Sequence, residues 1–142
     1  MKKVISEHTR LIVSPKKVAV PIYVGNDIFG DIGRIVALET FSKVAVLMDK
    51  NVAYHWGEAV RKLFGKNAVY IVIPAGEEHK NISTAEKILL SMVKHGLDRK
   101  ALLVNVGGGM VCDIGGFAAS AYMRGIAFVN IPTTVLAQTD AA

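Results

Sequence analysis

Apolar runs of the length of a β-strand alternate with helix-length segments along most of the chain. Runs rich in Val, Ile and Leu and bounded by turn residues predict strands at 18–24, 43–48, 68–73, 101–106 and 127–131. Pro21 lies inside the first run and favours an edge position, because proline cannot donate a ladder hydrogen bond. Since alternating strands and helices are typical of βα units, the pattern predicts an α/β fold with a mostly parallel sheet flanked by helices.

Apolar residues at helical spacing fill the intervals between these strands. They predict helices at 27–38, 52–64 and 110–121 and a last helix opened by residues 132–134. Another helix begins at the capping box Ser83-Thr84-Ala85-Glu86 and closes at His95 and Gly96. The faces expected to be buried are Ile28, Ile32, Ile35 and Val36; Trp56, Val60, Leu63 and Phe64; and Ile88, Leu89, Met92 and Val93.

The length and the charge distribution limit the organisation of the chain. A chain of 142 residues is enough for one domain. The net charge is +5, and five basic residues against Glu7 alone give +4 before residue 18. We therefore predict a basic N-terminal arm at 1–17 and a nearly neutral folded domain at 18–142. No nucleic-acid partner is expected, because such proteins usually carry a basic face across the folded domain.

Cysteine content and apolar run length bear on location. Cys112 is the single cysteine, so no intramolecular disulfide can form, and a cytoplasmic location is favoured. No apolar run approaches the roughly 18 residues that a membrane span requires, so no membrane partner is expected. The last predicted helix has an apolar face with nothing after it to cover it, and we therefore expect the natural chain to continue past Ala142.

The candidate chemistry begins where the strand at 101–106 runs into Gly107-Gly108-Gly109 and then a helix. This arrangement offers backbone N–H groups and a positive helix end to a phosphate group. The fingerprint Gly-x-Gly-x-x-Gly is incomplete, because Cys112 stands where its third glycine belongs. Taken alone, the three glycines are explained equally well by a tight strand-to-helix turn.

A longer set of motifs surrounds this turn. It comprises Gly-Gly-Gly-Met-Val-Cys-Asp-Ile-Gly-Gly-Phe-Ala-Ala at 107–119, Tyr-Met-Arg-Gly-Ile at 122–126 and Ile-Pro-Thr-Thr-Val-Leu-Ala-Gln-Thr-Asp at 131–140, with shorter matches at 21–25, 49–52 and 74–80. The set resembles the N-terminal, NAD-binding half of the 3-dehydroquinate synthases and their sugar phosphate cyclase relatives. The resemblance implies a Rossmann-like, N-terminal half of a two-domain enzyme.

The resemblance also implies roles for individual residues. The cofactor-binding positions would be Asp49, Asn51, Glu77, Lys80, Gly108, Gly109, Met110, Asp113, Thr133, Thr134 and Gln138. Asp49 would accept hydrogen bonds from the adenosine ribose, although an N-cap for the following helix explains it too. Arg124 would contact the substrate phosphate and Asp140 would lie beside the reacting carbons, with a surface ion pair and a helix-surface charge as the structural alternatives.

A divalent metal, zinc or cobalt, is implied for the whole enzyme but not for this chain. The family's ligands, a glutamate and two histidines, belong to the second domain, and His8, His55, His79 and His95 lie singly here. The implied reaction converts the sugar phosphate 3-deoxy-D-arabino-heptulosonate 7-phosphate to 3-dehydroquinate and phosphate. It belongs to the shikimate pathway of aromatic amino acid biosynthesis.

We expect this chain alone to be inactive and the whole enzyme to be a homodimer. Three alternatives stay open: another cyclase, such as a 2-deoxy-scyllo-inosose or valiolone synthase; a metal-dependent polyol dehydrogenase; and a stand-alone nucleotide-binding or interaction module.

Overall fold

The computed structural model describes residues 8–13, 20–26 and 28–141. The chain separates into two compact units, Met1–Ala37 and Leu38–Ala142, whereas the charge pattern alone suggested a division after residue 17. Among the described residues, no helix is long and apolar enough to cross a membrane.

The first unit contains a two-stranded antiparallel sheet. Strand β1, His8–Val13, pairs with β2, Val20–Gly25. The predicted strand at 18–24 is thus confirmed from Val20 onwards, residues 18 and 19 lying outside the described part, but it belongs to this separate sheet. Strand β1 was not predicted, because the charges of residues 1–17 indicated a solvated arm.

The predicted helix at 27–38 is wrong. Residue 27 lies outside the described part, and the rest forms a 3₁₀ turn Ile28–Asp31, a single α-helical turn α1 Ile32–Ile35, and another 3₁₀ turn Leu38–Thr40. Its four apolar residues are only half-buried. Gly30 and Gly33 lower helix propensity in the middle of this segment, and Ala37 adopts a left-handed φ of 48° that ends it.

The second unit is built on a four-stranded parallel sheet. Its strands are β3 Val44–Asp49, β4 Val69–Ile73, β5 Leu102–Gly107 and β6 Ala127–Pro132. Their order across the sheet is β4-β3-β5-β6, and each neighbouring pair is parallel. Every residue of β5 is buried, as expected for a central strand covered on both faces. The four strands predicted from apolar runs are confirmed, with ends displaced by at most one residue.

Three helices connect the strands: α2 Lys50–Phe64, α3 Ile82–Lys94 and α4 Gly109–Ala121. The main core includes Leu47 and Leu103 of the sheet, Ile88 and Met92 of α3, and Val111 of α4. Two predicted core positions are wrong, because Trp56 is 59% exposed and Val93 is 62% exposed. Trp56 precedes the buried Gly57, and Val93 follows the buried Met92, so each is turned about 100° around its helix from a buried residue. The buried face of each helix is therefore narrower than the run of apolar residues suggests.

The start of α3 differs from the prediction, whereas its predicted end is confirmed, with His95 as the C-cap and Gly96 at a left-handed φ of 63°. Asn81, not Ser83, is the N-cap, and its Oδ1 accepts a hydrogen bond from the Thr84 N–H at 3.0 Å. Asparagine is as good an N-cap as serine, and Ile82 is already helical, so the helix begins earlier. At the other end, Lys43 Nζ donates to the His95 carbonyl at 2.7 Å.

The direction in which successive strands are added to the sheet reverses between β3 and β5. The chain runs from β3 to β4 on one side, returns through α3 to β5 on the other side, and continues outwards to β6. In open α/β sheets, ligands bind beyond the carboxyl ends of the strands at such a switch point. Val46 of β3 pairs with Val104 of β5, so a ligand crevice is expected beyond the carboxyl ends of these two strands.

Candidate functional site

The glycine turn lies at the carboxyl end of β5 and opens α4. A Cβ on Gly107 would come within 2.6 Å of the Val111 side chain, so only glycine lets the strand approach the helix this closely. Gly108 is the N-cap of α4 and supplies no side-chain hydrogen bond. The first-turn N–H groups of α4 therefore lack a side-chain cap, and such groups are a ready site for a phosphate.

A threonine turn lies beside the glycine turn, at the end of β6. The Thr133 N–H donates to the Gly107 carbonyl at 2.9 Å. A Cβ on Gly108 would lie 3.2 Å from Thr134 Cγ2, so the bare backbone of one turn faces the other. Three of the predicted cofactor residues, Gly108, Thr133 and Thr134, are thus brought together.

The last helical segment follows Thr134, in agreement with its predicted opening by residues 132–134, although Pro132 itself still belongs to β6. Pro132 pairs with Gly107 as the final residue of β6, and the helical segment is a π-helical turn, Ala137–Ala141. Thr134 Oγ1 accepts a hydrogen bond from the Ala137 N–H at 3.2 Å, so ordinary capping accounts for part of its role. Its O–H can still donate to a ligand. Gln138 and Asp140 are exposed on the π-helical turn.

Lys80 joins two acidic residues from different elements. Its Nζ lies 2.7 Å from Asp113 Oδ2 and 3.2 Å from Glu77 Oε1. Hydrogen bonds to Asp113 and then to Glu77 raise the pKa of Lys80 above its ordinary value. Glu77 lies in the 3₁₀ turn Glu77–His79 after β4, and Asp113 lies on α4. Three residues that the resemblance assigned to the cofactor therefore form one charged cluster.

An open groove of about 360 Å³ adjoins this cluster between α3 and α4. Apart from Lys80, Asn81 and Asp113, its lining is apolar and consists of Ile82, Ala85, Ile114 and Phe117.

Asp49 ends β3 and caps α2. Its Oδ1 accepts a hydrogen bond from the Val52 N–H at 2.9 Å, so the structural alternative for this residue is confirmed. The second carboxylate oxygen stays available to a ligand. Because Met48 pairs with Val106, Asp49 and Gly107 each follow this pair by one residue and lie at the same edge of the sheet. Asn51 is exposed in the first turn of α2.

Arg124 does not lie with the other predicted site residues. It belongs to a 3₁₀ turn, Tyr122–Arg124, after the last residue of α4. The 13 residues of α4 span about 20 Å, so Arg124 and the glycine turn are at opposite ends of the helix. Tyr122 Oη donates to the Leu97 carbonyl at 2.8 Å and fixes this end near the amino ends of the strands. The structure thus places Arg124 apart from the glycine turn, and its contact with the substrate phosphate stays a prediction.

The turn that carries Arg124 has an unusual backbone. Met123 and Arg124 adopt left-handed φ angles of 49° and 69°, and Gly125 follows at 106°. Two consecutive non-glycine residues in this region carry a conformational cost, which the packing of Tyr122 and Ile126 must offset.

Cys112 replaces the last glycine of the dinucleotide fingerprint without entering the crevice. The side chain is buried, and its Sγ lies 3.7 Å from the Gly107 carbonyl. Burial, and then the charge of Asp113, raise the pKa of the thiol to about 11. The thiol is therefore protonated at neutral pH and has little nucleophilic character.

The described residues do not fit a metal site. No group of three or more His, Cys, Asp or Glu side chains within this part of the chain could hold a metal ion. The prediction that this chain supplies no metal ligand stays a prediction.

Two asparagines beneath the glycine and threonine turns were not among the predicted site residues. Asn105 lies in the fully buried strand β5, and Asn130 is its partner in β6. The signal in the sequence was a polar residue inside an otherwise apolar run of strand length.

The parallel sheet, its switch point and the glycine turn at the carboxyl end of β5 define a Rossmann-like α/β domain. A family model described as 3-dehydroquinate synthase N-terminal matches residues 70–142. The chain belongs to this family.

A curated relative and two solved structures support the assignment. The 3-dehydroquinate synthase of Campylobacter jejuni (strain 81-176) is 46% identical over 112 residues, which are 78% of this chain and 32% of the relative. A 2-deoxy-scyllo-inosose synthase, solved with carbaglucose-6-phosphate, NAD+ and Co2+, gives a TM-score of 0.82 at 26% identity and covers 93% of this chain and 37% of its own. The 2-epi-5-epi-valiolone synthase of Streptomyces hygroscopicus, solved with NAD+ and Zn2+, gives a TM-score of 0.75 at 29% identity. The match covers 92% of this chain and 37% of the valiolone synthase. This chain thus spans about a third of the length of the curated relative.

Proposed function

We propose that this chain binds NAD in the crevice at the carboxyl ends of β3 and β5. The observation that carries the proposal is the pair of turns, Gly107–Gly109 and Thr133–Thr134, joined by the bond from the Thr133 N–H to the Gly107 carbonyl. Any side chain at Gly108 would fill the space between them, so the bare backbone fits a pyrophosphate. Two structurally similar cyclases were solved with NAD+, which supports this choice of dinucleotide.

Each part of the cofactor would meet a different group of residues. The N–H groups of Gly108, Gly109 and Met110 would hold the pyrophosphate, with Thr133 and Thr134 beside them. Asp49 would accept from the adenosine ribose through the oxygen that does not cap α2, with Asn51 nearby. Glu77 and Lys80 would hold the adenosine side. Asp113 and Gln138 would contact the nicotinamide side.

For the whole enzyme, we propose 3-dehydroquinate synthase activity on 3-deoxy-D-arabino-heptulosonate 7-phosphate, a phosphate-eliminating lyase reaction of the shikimate pathway. When bound, NAD supplies a reversible hydride acceptor for a substrate alcohol. Asp140 would contact the substrate near the threonine turn. Arg124 would contact the substrate phosphate only at a site beyond this crevice, because α4 separates it from the glycine turn by about 20 Å.

The remaining features of the whole enzyme are proposed on the same family grounds. They are a homodimer, a cytoplasmic location and a divalent metal whose ligands lie outside the described residues. Since metal polarisation of the substrate would need those ligands, we expect no turnover from this chain alone.

The alternative is that the whole enzyme is a different sugar phosphate cyclase. It is favoured by the fit to 2-deoxy-scyllo-inosose synthase, with a TM-score of 0.82. The 46% identity to the Campylobacter jejuni 3-dehydroquinate synthase, against 26% to the inosose synthase, favours the first proposal.

Calorimetric titration with NAD tests the cofactor proposal. A Gly108→Ala variant would place a methyl group 3.2 Å from Thr134 Cγ2 and in the path of the pyrophosphate, and we expect at least about tenfold weaker binding, or ~1.4 kcal/mol. Gly116→Ala is the matched control on the same helix, because its Cβ would make only ordinary contact, 3.6 Å from the Phe128 ring. Unchanged affinity in Gly108→Ala would contradict the proposal.

A chimaeric enzyme tests the activity. This chain would replace the matching N-terminal third of the Campylobacter jejuni enzyme in a strain that lacks 3-dehydroquinate synthase. We expect growth without aromatic amino acids from the chimaera, and none from this chain alone or from a chimaera carrying Gly108→Val. A chimaera that is expressed and folded but does not support growth would contradict the assignment and favour another cyclase.

A further inference from the structure

Two asparagine side chains join β5 and β6 beneath α4. Asn105 and Asn130 are register partners, and Asn105 Nδ2 donates to Asn130 Oδ1 at 2.9 Å. Asn105 is 0% exposed and lies between the apolar residues Val104 and Val106 of β5. A buried amide in a central strand is costly unless its polar atoms are paired.

The packing of α4 is adapted to this amide. A Cβ on Gly115 would overlap the Oδ1, Cγ and Nδ2 atoms of Asn105, so the helix can lie at this depth only with glycine at that position. Asn105 Oδ1 has no hydrogen-bond partner within the described part of the chain. An apolar residue of similar volume would avoid the cost of that unpaired oxygen, so stability alone does not explain the asparagine.

The position of the pair relates it to the two turns. Asn105 precedes Gly107 by two residues, and Asn130 precedes Pro132 by two residues, while Gly107 and Pro132 are themselves register partners. The next cross-strand contact is the bond from the Thr133 N–H to the Gly107 carbonyl. The amide pair is thus a specific side-chain bond between β5 and β6 directly below the two turns. Two apolar side chains at these positions would make no directional bond, so they would not fix the spacing of the strand ends in this way.

We propose that Asn105 is a positioning residue for the cofactor. Its hydrogen bond to Asn130 fixes the ends of β5 and β6 relative to each other, and its contact with Gly115 sets the depth of α4. Together they hold the glycine and threonine turns as one cradle of fixed width. This inference rests on the proposed NAD site.

The test compares Asn105→Ala with Val60→Ala, a truncation at another residue that is 0% exposed but lies on α2, away from both turns. Titration with NAD is carried out on the 142-residue chain at a temperature where circular dichroism shows both variants to be folded. We expect Asn105→Ala to bind at least about tenfold more weakly, whereas Val60→Ala stays within about twofold at an equal or larger loss of Tm.

A cofactor-free measurement separates this inference from the proposed function. Amide hydrogen exchange by NMR reports directly on the bond from Thr133 to Gly107. In Asn105→Ala, we expect faster exchange at Thr133 relative to the amides of β3, and in Val60→Ala no selective change at Thr133. If the unchanged chain does not bind NAD, the proposed function fails for this chain, and the exchange of Thr133 still decides the positioning role.

Further variants keep the inference testable if Asn105→Ala does not fold. Asn130→Ala removes the same hydrogen bond from the less buried side and is expected to weaken NAD binding in the same way. Asn105→Ala combined with Gly115→Ala refills the space and is expected to restore Tm without restoring affinity. Recovery of both, or unchanged affinity and Thr133 exchange in Asn105→Ala, would overturn the inference.

Discussion

The Lys80 ammonium lies 2.7 Å from the Asp113 carboxylate and thereby links the turn after β4 to the first part of α4. The two residues are 33 positions apart and reach each other because both elements follow carboxyl ends of strands in the same sheet. Lys80 also offsets the charges of Asp113 and Glu77, which would otherwise oppose an anionic ligand.

Replacing Lys80 by Met should affect ligand binding more than stability. The ion pairs are partly exposed and screened by solvent, so we expect only a small loss in the free energy of unfolding. NAD binding should weaken by about tenfold or more at low salt, because the carboxylates of Asp113 and Glu77 are left unpaired and repel an anionic ligand. Titration at low and high NaCl checks this. A Lys87→Met variant on the exposed face of α3 is the control, and an equal effect there would contradict a local role for Lys80.

Asp49 combines a cap with a proposed ligand contact, and two substitutions separate them. Asp49→Asn keeps an oxygen that can accept from the Val52 N–H but loses the charge, so we expect near-normal stability and weaker NAD binding. Asp49→Ala should lose both, including about 1 kcal/mol of unfolding free energy. Urea unfolding and titration with NAD measure the two effects. Equal NAD affinity in Asp49→Asn and the unchanged chain would exclude the ribose contact.

Cys112 should be unreactive in the folded chain. Its thiol is buried, and its pKa is raised to about 11, so thiolate is scarce at pH 8. We expect alkylation by iodoacetamide only as fast as the chain opens, and rapid alkylation in urea. Mass spectrometry follows the modified fraction. Rapid modification under native conditions, without loss of structure by circular dichroism, would show that the thiol is accessible.

Asp98 should contribute to the loss of stability in acid. Hydrogen bonds from the Ser42 hydroxyl and then from the Lys100 N–H lower the pKa of Asp98 below its ordinary value of 3.8. A depressed folded-state pKa means that the contribution is complete above pH 3.8 and is lost as the pH falls through the folded value. Asp98→Asn should therefore flatten the acid limb of the stability curve below about pH 4, as thermal unfolding at several pH values would measure. An acid limb identical to that of the unchanged chain would contradict this.

The parallel sheet was predictable because each of its strands is a local run of apolar residues, and burial on both faces requires such runs. Strand β1 was not, because its residues pair with β2 while the surrounding charges indicate a solvated arm. Likewise, Asn81 and Ser83 are both good N-caps, and only the backbone path after Glu77–His79 decides between them.

The positions of the glycine and threonine turns were predictable because each turn directly follows a predicted parallel strand. Gly108 and Thr134 follow adjacent strands, so motif and geometry agree. Arg124 is near the glycine turn in sequence, but the straight helix between them carries it to the other edge of the sheet. Asn105 and Gly115 were missed because a steric match between a strand and a helix leaves no spacing pattern in one sequence.

The bond from the Thr133 N–H to the Gly107 carbonyl has a consequence for the folding of the chain. Thr133 follows β6, which is the last of the four described strands to leave the ribosome. Parallel pairing joins residues that are distant in sequence, and this slows folding. The glycine turn can form locally, but the cradle is complete only after β6 has docked. NAD affinity should therefore emerge only after β6 has been synthesised and has docked, so the cofactor selects chains in which β5 and β6 are already paired.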